Sequence, residues 1–339
     1  MKNINTSIPS NPSKEKYRQV IKELRPFCKK DISKARMQFF VTVFMLYSLF
    51  VINFFVYDIS IYLSLILAPA ITAFLCRCHV ILHDCGHQSF FRSKLTNAIA
   101  GNIITFPIMI PYGTWKYIHE NHHMYVGNLD KRELNPEVWT MTVNEYIASP
   151  FYKKLLYRFF RSRFSKFFVT PWLMFGIILK IPNPKFDKKA NLSVIIYNVL
   201  YVAILVFLLS FMSFQKLFFI YLIPLLFFYF IASYVFYIQH QFEDTYWENN
   251  TEWSFEDAGF KGSTYITSPA WFSWISGNVG SHNIHHLISA IPNYNLPKAQ
   301  KSLENILEFK PITLYESYKL FDYKLWSEDK KKLVKFSDI

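Results

Sequence analysis

Four long, strongly apolar stretches of this chain of 339 residues contain no Asp, Glu, Lys or Arg: residues 37–57, 59–76, 192–215 and 217–238. A helix rises about 1.5 Å per residue, so roughly 20 apolar residues cross a bilayer, and these stretches are about that long. In hydrocarbon every backbone N–H and C=O must be paired internally, which leaves such segments only the helix. Asp58 alone separates the first two and Lys216 alone the second two, so each pair reads as a tight helical hairpin. The composition agrees: 52% of residues are hydrophobic, with 35 Phe against 9 Gly, more apolar than a soluble domain of this length. The predicted fold is all-α and integral to the membrane, with four transmembrane helices as two hairpins and a helical cytoplasmic domain.

The basic residues set the expected orientation. Lys and Arg concentrate in the arm 1–36, in the region 83–190 and in the tail after residue 238, with Arg77 just past the second span. Basic residues gather on the cytoplasmic face of membrane proteins. All three regions, and both termini, are therefore expected to be cytoplasmic. The same bias accounts for the net charge of +13 without nucleic acid, for which no motif is present. The arm lacks the short apolar core and cleavage site of a signal peptide, and Cys28, Cys76, Cys78 and Cys85 have no disulfide-framework spacing. The organisation read from this is a cytoplasmic arm, 1–36, followed by one membrane unit, 37–339.

Two segments qualify that outline. Residues 98–112 are apolar but short and contain Pro107 and Pro111. A full crossing there would put the histidines before and after it on opposite sides, so the segment is read as re-entrant or interfacial. Residues 150–168 alternate aromatics such as Phe151, Phe159 and Phe160 with bases such as Arg158, Arg161 and Lys166. That pattern suits a helix lying in the headgroup layer, or a basic face packed on the protein's own cytoplasmic domain.

The chemistry is carried by histidine. Of 10 His, eight fall in three boxes: His83-Asp84-Cys85-Gly86-His87, His119-Glu120-Asn121-His122-His123 and His282-Asn283-Ile284-His285-His286. Positions three and four apart share a helix face, so each box is expected to point two or three imidazoles in one direction. Eight neutral imidazoles exceed the coordination of one ion, and two ions are the natural reading. Spacing does not choose among iron, zinc, copper and nickel. His83 closely follows the second span and His240 the fourth, so the metals should sit at the cytoplasmic ends of the bundle, facing an apolar interior. Attack on an unactivated methylene there needs a strongly oxidising metal, which excludes zinc and makes iron with O₂ the consistent choice. His240 is read as a ninth ligand, or else as a group that orients one. His79 is read as a packed or supporting residue. Asp84 and Glu120 either orient ligand rings or are solvated carboxylates.

Longer blocks surround these boxes. Ser89-Phe90-Phe91 follows the first, Asn128-Leu129-Asp130-Lys131-Arg132 follows the second, and Val143-Asn144-Glu145-Tyr146 comes after that. His240-Gln241-Phe242-Glu243-Asp244-Thr245-Tyr246, Gly277-Asn278-Val279-Gly280 and Ile291-Pro292-Asn293-Tyr294-Asn295-Leu296 complete the set. With these blocks the chain resembles the membrane fatty acid desaturases, specifically the bacterial acyl-lipid branch of delta-5 and delta-12 types, from about Arg77 onward.

The resemblance implies a di-iron centre held by His83, His87, His119, His122, His123, His282, His285 and His286, with His240 matching the family's extra histidine. It implies O₂ as co-substrate, an acyl chain of a membrane lipid as substrate, and two electrons from a ferredoxin-type carrier. A cis double bond would be the product and the bacterial inner membrane the location. Ser281 and Asn283 stand where relatives commonly have an aromatic and a His. Phe236 is not the Asn that supports a metal-bound water in the acyl-CoA type, which leans away from acyl-CoA substrates. With no fused haem motif or nucleotide fingerprint, the electrons are expected from a separate protein, docked on the basic face. The alternatives are a di-iron hydroxylase or ketolase acting on an acyl or carotenoid substrate, a zinc hydrolase, and a metal transporter. A transporter would place ionisable ligands at mid-membrane, where these spans have none.

Overall fold

The structure is a computed structural model that describes residues 12–134 and 138–339; of the arm 1–36, residues 1–11 lie outside the described residues. Helix α1, Pro12–Leu24, precedes the first long helix. Four helices are long and apolar enough to cross a membrane: α2 (Ile32–Ile59), α3 (Ile61–Gly86), α8 (Lys188–Phe211) and α9 (Phe214–His240). Each is preceded by a polar residue, and in three of the four its side chain satisfies a free backbone N–H. Asp31 accepts from the Lys34 N–H at 3.1 Å, Asp187 from Ala190 at 2.6 Å and Ser213 from Lys216 at 3.2 Å. In α9 a π-helical stretch, Phe218–Leu222, comes just before Pro224, whose missing N–H and ring disturb the regular ladder.

The long helices differ in depth. Only 17% of the most apolar window of α2, and the same of α8, is buried, against 56% for α3. Phe44, Phe55, Ile66, Val199 and Phe207 stand on the outer surface. Helices apolar on all sides and covered on one are stable in lipid, not in water. The architecture is an all-α membrane fold with α3 at its centre, packed against α2 and α9. Thr72 of α3 donates to the Pro224 carbonyl of α9 at 3.1 Å. The two residues that mark the hairpin turns meet: Lys216 Nζ lies 2.6 Å from the Asp58 carboxylate and over the Phe54 ring. That pair closes the end of the bundle opposite the histidines.

The helices run further than the charge-free stretches suggest. The span expected at 37–57 begins at Ile32, inside the arm, and the one expected at 59–76 continues unbroken to Gly86. Arg77 is thus within α3, buried, with its guanidinium donating to the Trp274 carbonyl at 2.7 Å and stacked on that ring. The carbonyl and the aromatic face offset part of the cost of burying the cation, and the charge does not end the helix. Likewise α8 starts at Lys188, ahead of 192, and α9 runs to His240, past 238.

The segment containing 98–112 forms helix α4, Lys94–Thr105, and a short 3₁₀ turn, Phe106–Ile108. Left-handed Met109 reverses the chain into helix α5, Tyr112–Tyr125, which carries the second box. Short helices α6 (Val143–Ala148) and α7 (Phe151–Phe160) follow. The outer face of α7 shows Phe151, Tyr152 and Leu155, while Arg161 just beyond it is buried. The third box forms its own short helix, His282–Leu287, covered by α1, where the Tyr17 hydroxyl donates to the Leu287 carbonyl at 3.1 Å. A small sheet, with Met141–Thr142 parallel to Leu325–Ser327 and the latter antiparallel to Lys332–Val334, ties the tail to α6.

Candidate metal centre

Nine histidines converge where α3, α5, α9 and the helix His282–Leu287 end together. They form two groups: His83, His87, His119, His123 and His285, and His122, His240, His282 and His286. Within each group the ring nitrogens lie within 4.8 Å of one another. Each box points two imidazoles into one group, as the spacing leads one to expect, and the second and third boxes send their remaining histidine to the other. Successive helical residues are about 100° apart, so adjacent His122 and His123 part company, as do His285 and His286, and each joins the other group. The i, i+4 pairs His83/His87, His119/His123 and His282/His286 stay together. Interleaving the second and third boxes in this way binds the two groups into one centre.

The nitrogen geometry suits metal ions. In the four-membered group, His122 Nε2 is 3.1 Å from His240 Nε2 and 3.2 Å from His286 Nε2. His282 Nε2 is 2.9 Å from His240 and 3.0 Å from His286. In the other, His123 Nε2 is 3.2 Å from His119 and 3.0 Å from His285. Two nitrogens each about 2.0–2.1 Å from one ion, at a right angle, are about 2.9 Å apart. Mutual hydrogen bonds do not account for the arrangement. His240 Nδ1 lies 2.9 Å from the Gly262 carbonyl, which fixes the proton there and leaves Nε2 with a lone pair facing the group. His87 Nε2 is buried with no hydrogen-bond partner among the described residues. Such an orphaned acceptor is costly unless something binds it.

Protonation points the same way. Burial first, then neighbouring imidazoles, holds His87, His119, His123, His282, His285 and His286 well below the ordinary histidine range. Neutral imidazole is the form that binds metal.

Supporting residues separate clearly. Asp84 is buried; its Oδ1 lies 3.2 Å from His83 Nδ1 and its Oδ2 accepts from the Asn293 backbone and side-chain amides, both at 2.8 Å. It therefore orients a ring of the first box and anchors it to the loop after the third. Glu120 is half-exposed and pairs with Lys116, a surface carboxylate. His79 is packed between Trp115 and Phe228 and belongs to neither group. Phe236 lies against His122 and His240. Two contributors carried no sequence signal: the Gly262 carbonyl, and Trp115, stacked on His119 at 4.5 Å. A Cβ at Gly86 would meet the Trp115 ring at 2.7 Å, so the glycine of the first box makes room for that ring. The motif blocks meet as well: Arg132 grips the Glu145 carboxylate at 2.8 and 2.5 Å.

An apolar cavity of about 170 Å³ opens onto the centre. It is walled by residues such as Met174, Phe175, Phe228 and Ile231, and reaches His83, His119, His282 and His285.

Fold and site define a membrane metalloprotein with an all-histidine centre at the end of its helical bundle. The fatty acid desaturase family model matches residues 60–318, and the chain belongs to that family; it is an oxidoreductase. It is 32% identical over 324 residues to the "Fatty acid desaturase" of Bacillus subtilis (strain 168), covering 96% of this chain and 92% of that one. It is 27% identical over 237 residues to the "sn-1 oleoyl-lipid 12-desaturase" of Picosynechococcus sp., covering 66% of this chain and 64% of the relative. It is 28% identical over 240 residues to the "sn-1 acyl-lipid omega-3 desaturase (ferredoxin)" of Nostoc sp., covering 67% and 64%.

Proposed function

We propose that this protein is an acyl-lipid desaturase that inserts a cis double bond into an acyl chain of a membrane lipid, using O₂ and two electrons from a ferredoxin-type carrier. The observation that carries the reading is the cavity: one apolar channel that ends on histidines of both groups. The nine histidines would hold two iron ions, one per group. Bound there, a di-iron centre supplies the oxidising power, drawn from O₂, that removes hydrogen from two adjacent methylenes. The chain's own residues do the rest. The apolar walls desolvate and align the acyl chain beneath the histidines. Asp84 and the Gly262 carbonyl hold His83 and His240 with their lone pairs turned inward.

The basic balance of the histidine-bearing side supports docking of an acidic carrier, and raising salt should slow turnover with purified ferredoxin. The same charge bias supports placement in the bacterial inner membrane with both termini cytoplasmic. On this reading residues 37–339 act as one unit and residues 98–112 are re-entrant or interfacial; that His87 before them and His119 after them share a group argues against a full crossing. The test is expression in a host lacking polyunsaturates, followed by mass spectrometry that locates any new double bond. Lipids lacking two hydrogens support the reading, and lipids carrying an added oxygen overturn it. The His119→Ala variant should give neither product.

A further inference from the structure

Beside the channel three basic side chains are buried together. Arg161 is 0% exposed, Lys166 5% and Lys324 8%. Among the described residues none of them forms an ion pair. The nearby carboxylate of Asp322 is held by Arg163 at 2.6 Å. Arg161 donates from one nitrogen to the Gln241 side chain at 2.7 Å and to the Tyr323 carbonyl, while its Nε and Nη1 are buried without hydrogen-bond partners among the described residues. Lys324 donates to the Arg161 carbonyl at 2.6 Å. The Lys166 ammonium and the Arg161 guanidinium both lie over the Tyr237 ring, at 5.7 and 5.3 Å. Phe321 covers that ring in a parallel stack. Lys166 lines the same cavity that ends on the histidines.

Burial, then Arg161 and Lys324, holds Lys166 well below the ordinary lysine range, so the cluster gives up protons rather than carry three buried like charges, and an anion brought among them would restore the positive form. The strain is visible in Lys324, pushed down to about 7 by burial and by Arg161 and Arg163. The position of the cluster says which anion. Lys166 faces inward from a stretch whose Phe164 and Phe168 face out, 62% and 51% exposed. An apolar outer face backed by bases belongs to a segment seated at the membrane interface, at the depth of headgroup phosphates.

We propose that this cluster recognises the phosphodiester of the glycerophospholipid whose acyl chain occupies the channel, Lys166 meeting the phosphate and Arg161 and Lys324 supplying the field behind it. The inference rests on the reading that the channel takes an acyl chain. The site selects phospholipids over neutral lipids with the same tails, because only a phosphodiester compensates the cluster.

Equilibrium binding to purified protein in detergent tests it, with phosphatidylcholine, phosphatidylglycerol and diacylglycerol of identical chains. Both phospholipids should bind about tenfold tighter than diacylglycerol, as one charge-assisted contact would give. Lys166→Met should bring them to the diacylglycerol level with metal content unchanged, and Lys166→Arg should restore the preference. Millimolar inorganic phosphate should weaken phospholipid binding and leave diacylglycerol alone. A preference for phosphatidylglycerol over phosphatidylcholine would reveal mere surface charge and overturn the proposal. So would a preference that survives Lys166→Met, or phosphate binding without any preference for phospholipid, which would mark a site for the free anion. Equal binding of all three lipids overturns this proposal alone, whereas binding of none overturns the acyl-channel reading with it.

Discussion

The two histidine groups use the same side chain and differ in redundancy. His83, His87, His119, His123 and His285 offer five nitrogens, and the rings of His83, His87 and His123 are only partly buried. His122, His240, His282 and His286 offer four, all buried. The first group draws a whole box from α3 and has its His83 ring steadied by a carboxylate. The second has no box of its own. It is assembled from one histidine of the second box, two of the third, and His240 at the end of α9, steadied by a backbone carbonyl. If each group holds one ion, as proposed, a closed four-histidine set has nothing to spare, whereas a five-membered set keeps four when one is removed. The lesson is that the histidine outside the boxes should matter more than some inside them.

The largest effect follows. His240→Ala should reduce bound iron by about half, since three nitrogens in a buried pocket hold an ion poorly, and should abolish desaturation. Metal analysis beside lipid analysis reads both. His87→Ala should keep both ions and lose activity by about 10–100-fold, the scale of a disturbed coordination sphere. If His87→Ala loses an ion and His240→Ala does not, the grouping is wrong.

That His240 could be suspected at all shows what was readable. The long, strongly apolar charge-free stretches defined four spans and two hairpins because membrane solvation leaves such segments only the helix, and the boxes announced a metal centre because so many imidazoles are seldom gathered for packing. The ends of the helices were not readable: Arg77 looked like a terminus because its cost depends on Trp274, almost two hundred residues away. Nor was the partition of His122 from His123, which depends on where helix α5 sits against its neighbours. The Gly262 carbonyl is invisible in principle, since every residue has one.

The carboxylate that steadies the first group gives the next effect. Asp84→Asn retains shape and removes the charge that His83 and the two Asn293 amides share, so iron affinity should fall by about 10-fold. Unchanged affinity would mean that His83 is held by packing alone, as against Trp115.

Acid should act on both groups at once. Six of the rings titrate well below the ordinary range when folded, whereas unfolded histidine titrates near about 6.5. Below that pH the unfolded chain binds protons that the native one refuses, so stability is present above it and is lost as pH falls. Metal-stripped protein should therefore hold a level Tm from about pH 8 to 7 and melt progressively earlier below about 6.5. A Tm that rises on acidification would show that the rings are solvated.

The smallest effect tests the other carboxylate in a box. Glu120 sits beside a box histidine in sequence as Asp84 does, but its side chain is 48% exposed and its partner is Lys116, one turn earlier. Such pairs contribute about 0.3–0.5 kcal/mol, and less with Lys on the N-terminal side. Glu120→Gln should leave iron content intact and change activity by less than about twofold. What residue of effect there is has a defined origin: Lys116 helps to hold His87 below its usual range, and without Glu120 its charge weighs more on that side of the five-membered group. An effect of that origin passes through solvent and should vanish in high salt. A loss of iron as large as that of Asp84→Asn, persisting in salt, would mean that Glu120 turns inward when metal binds, and the contrast between the two carboxylates would be gone.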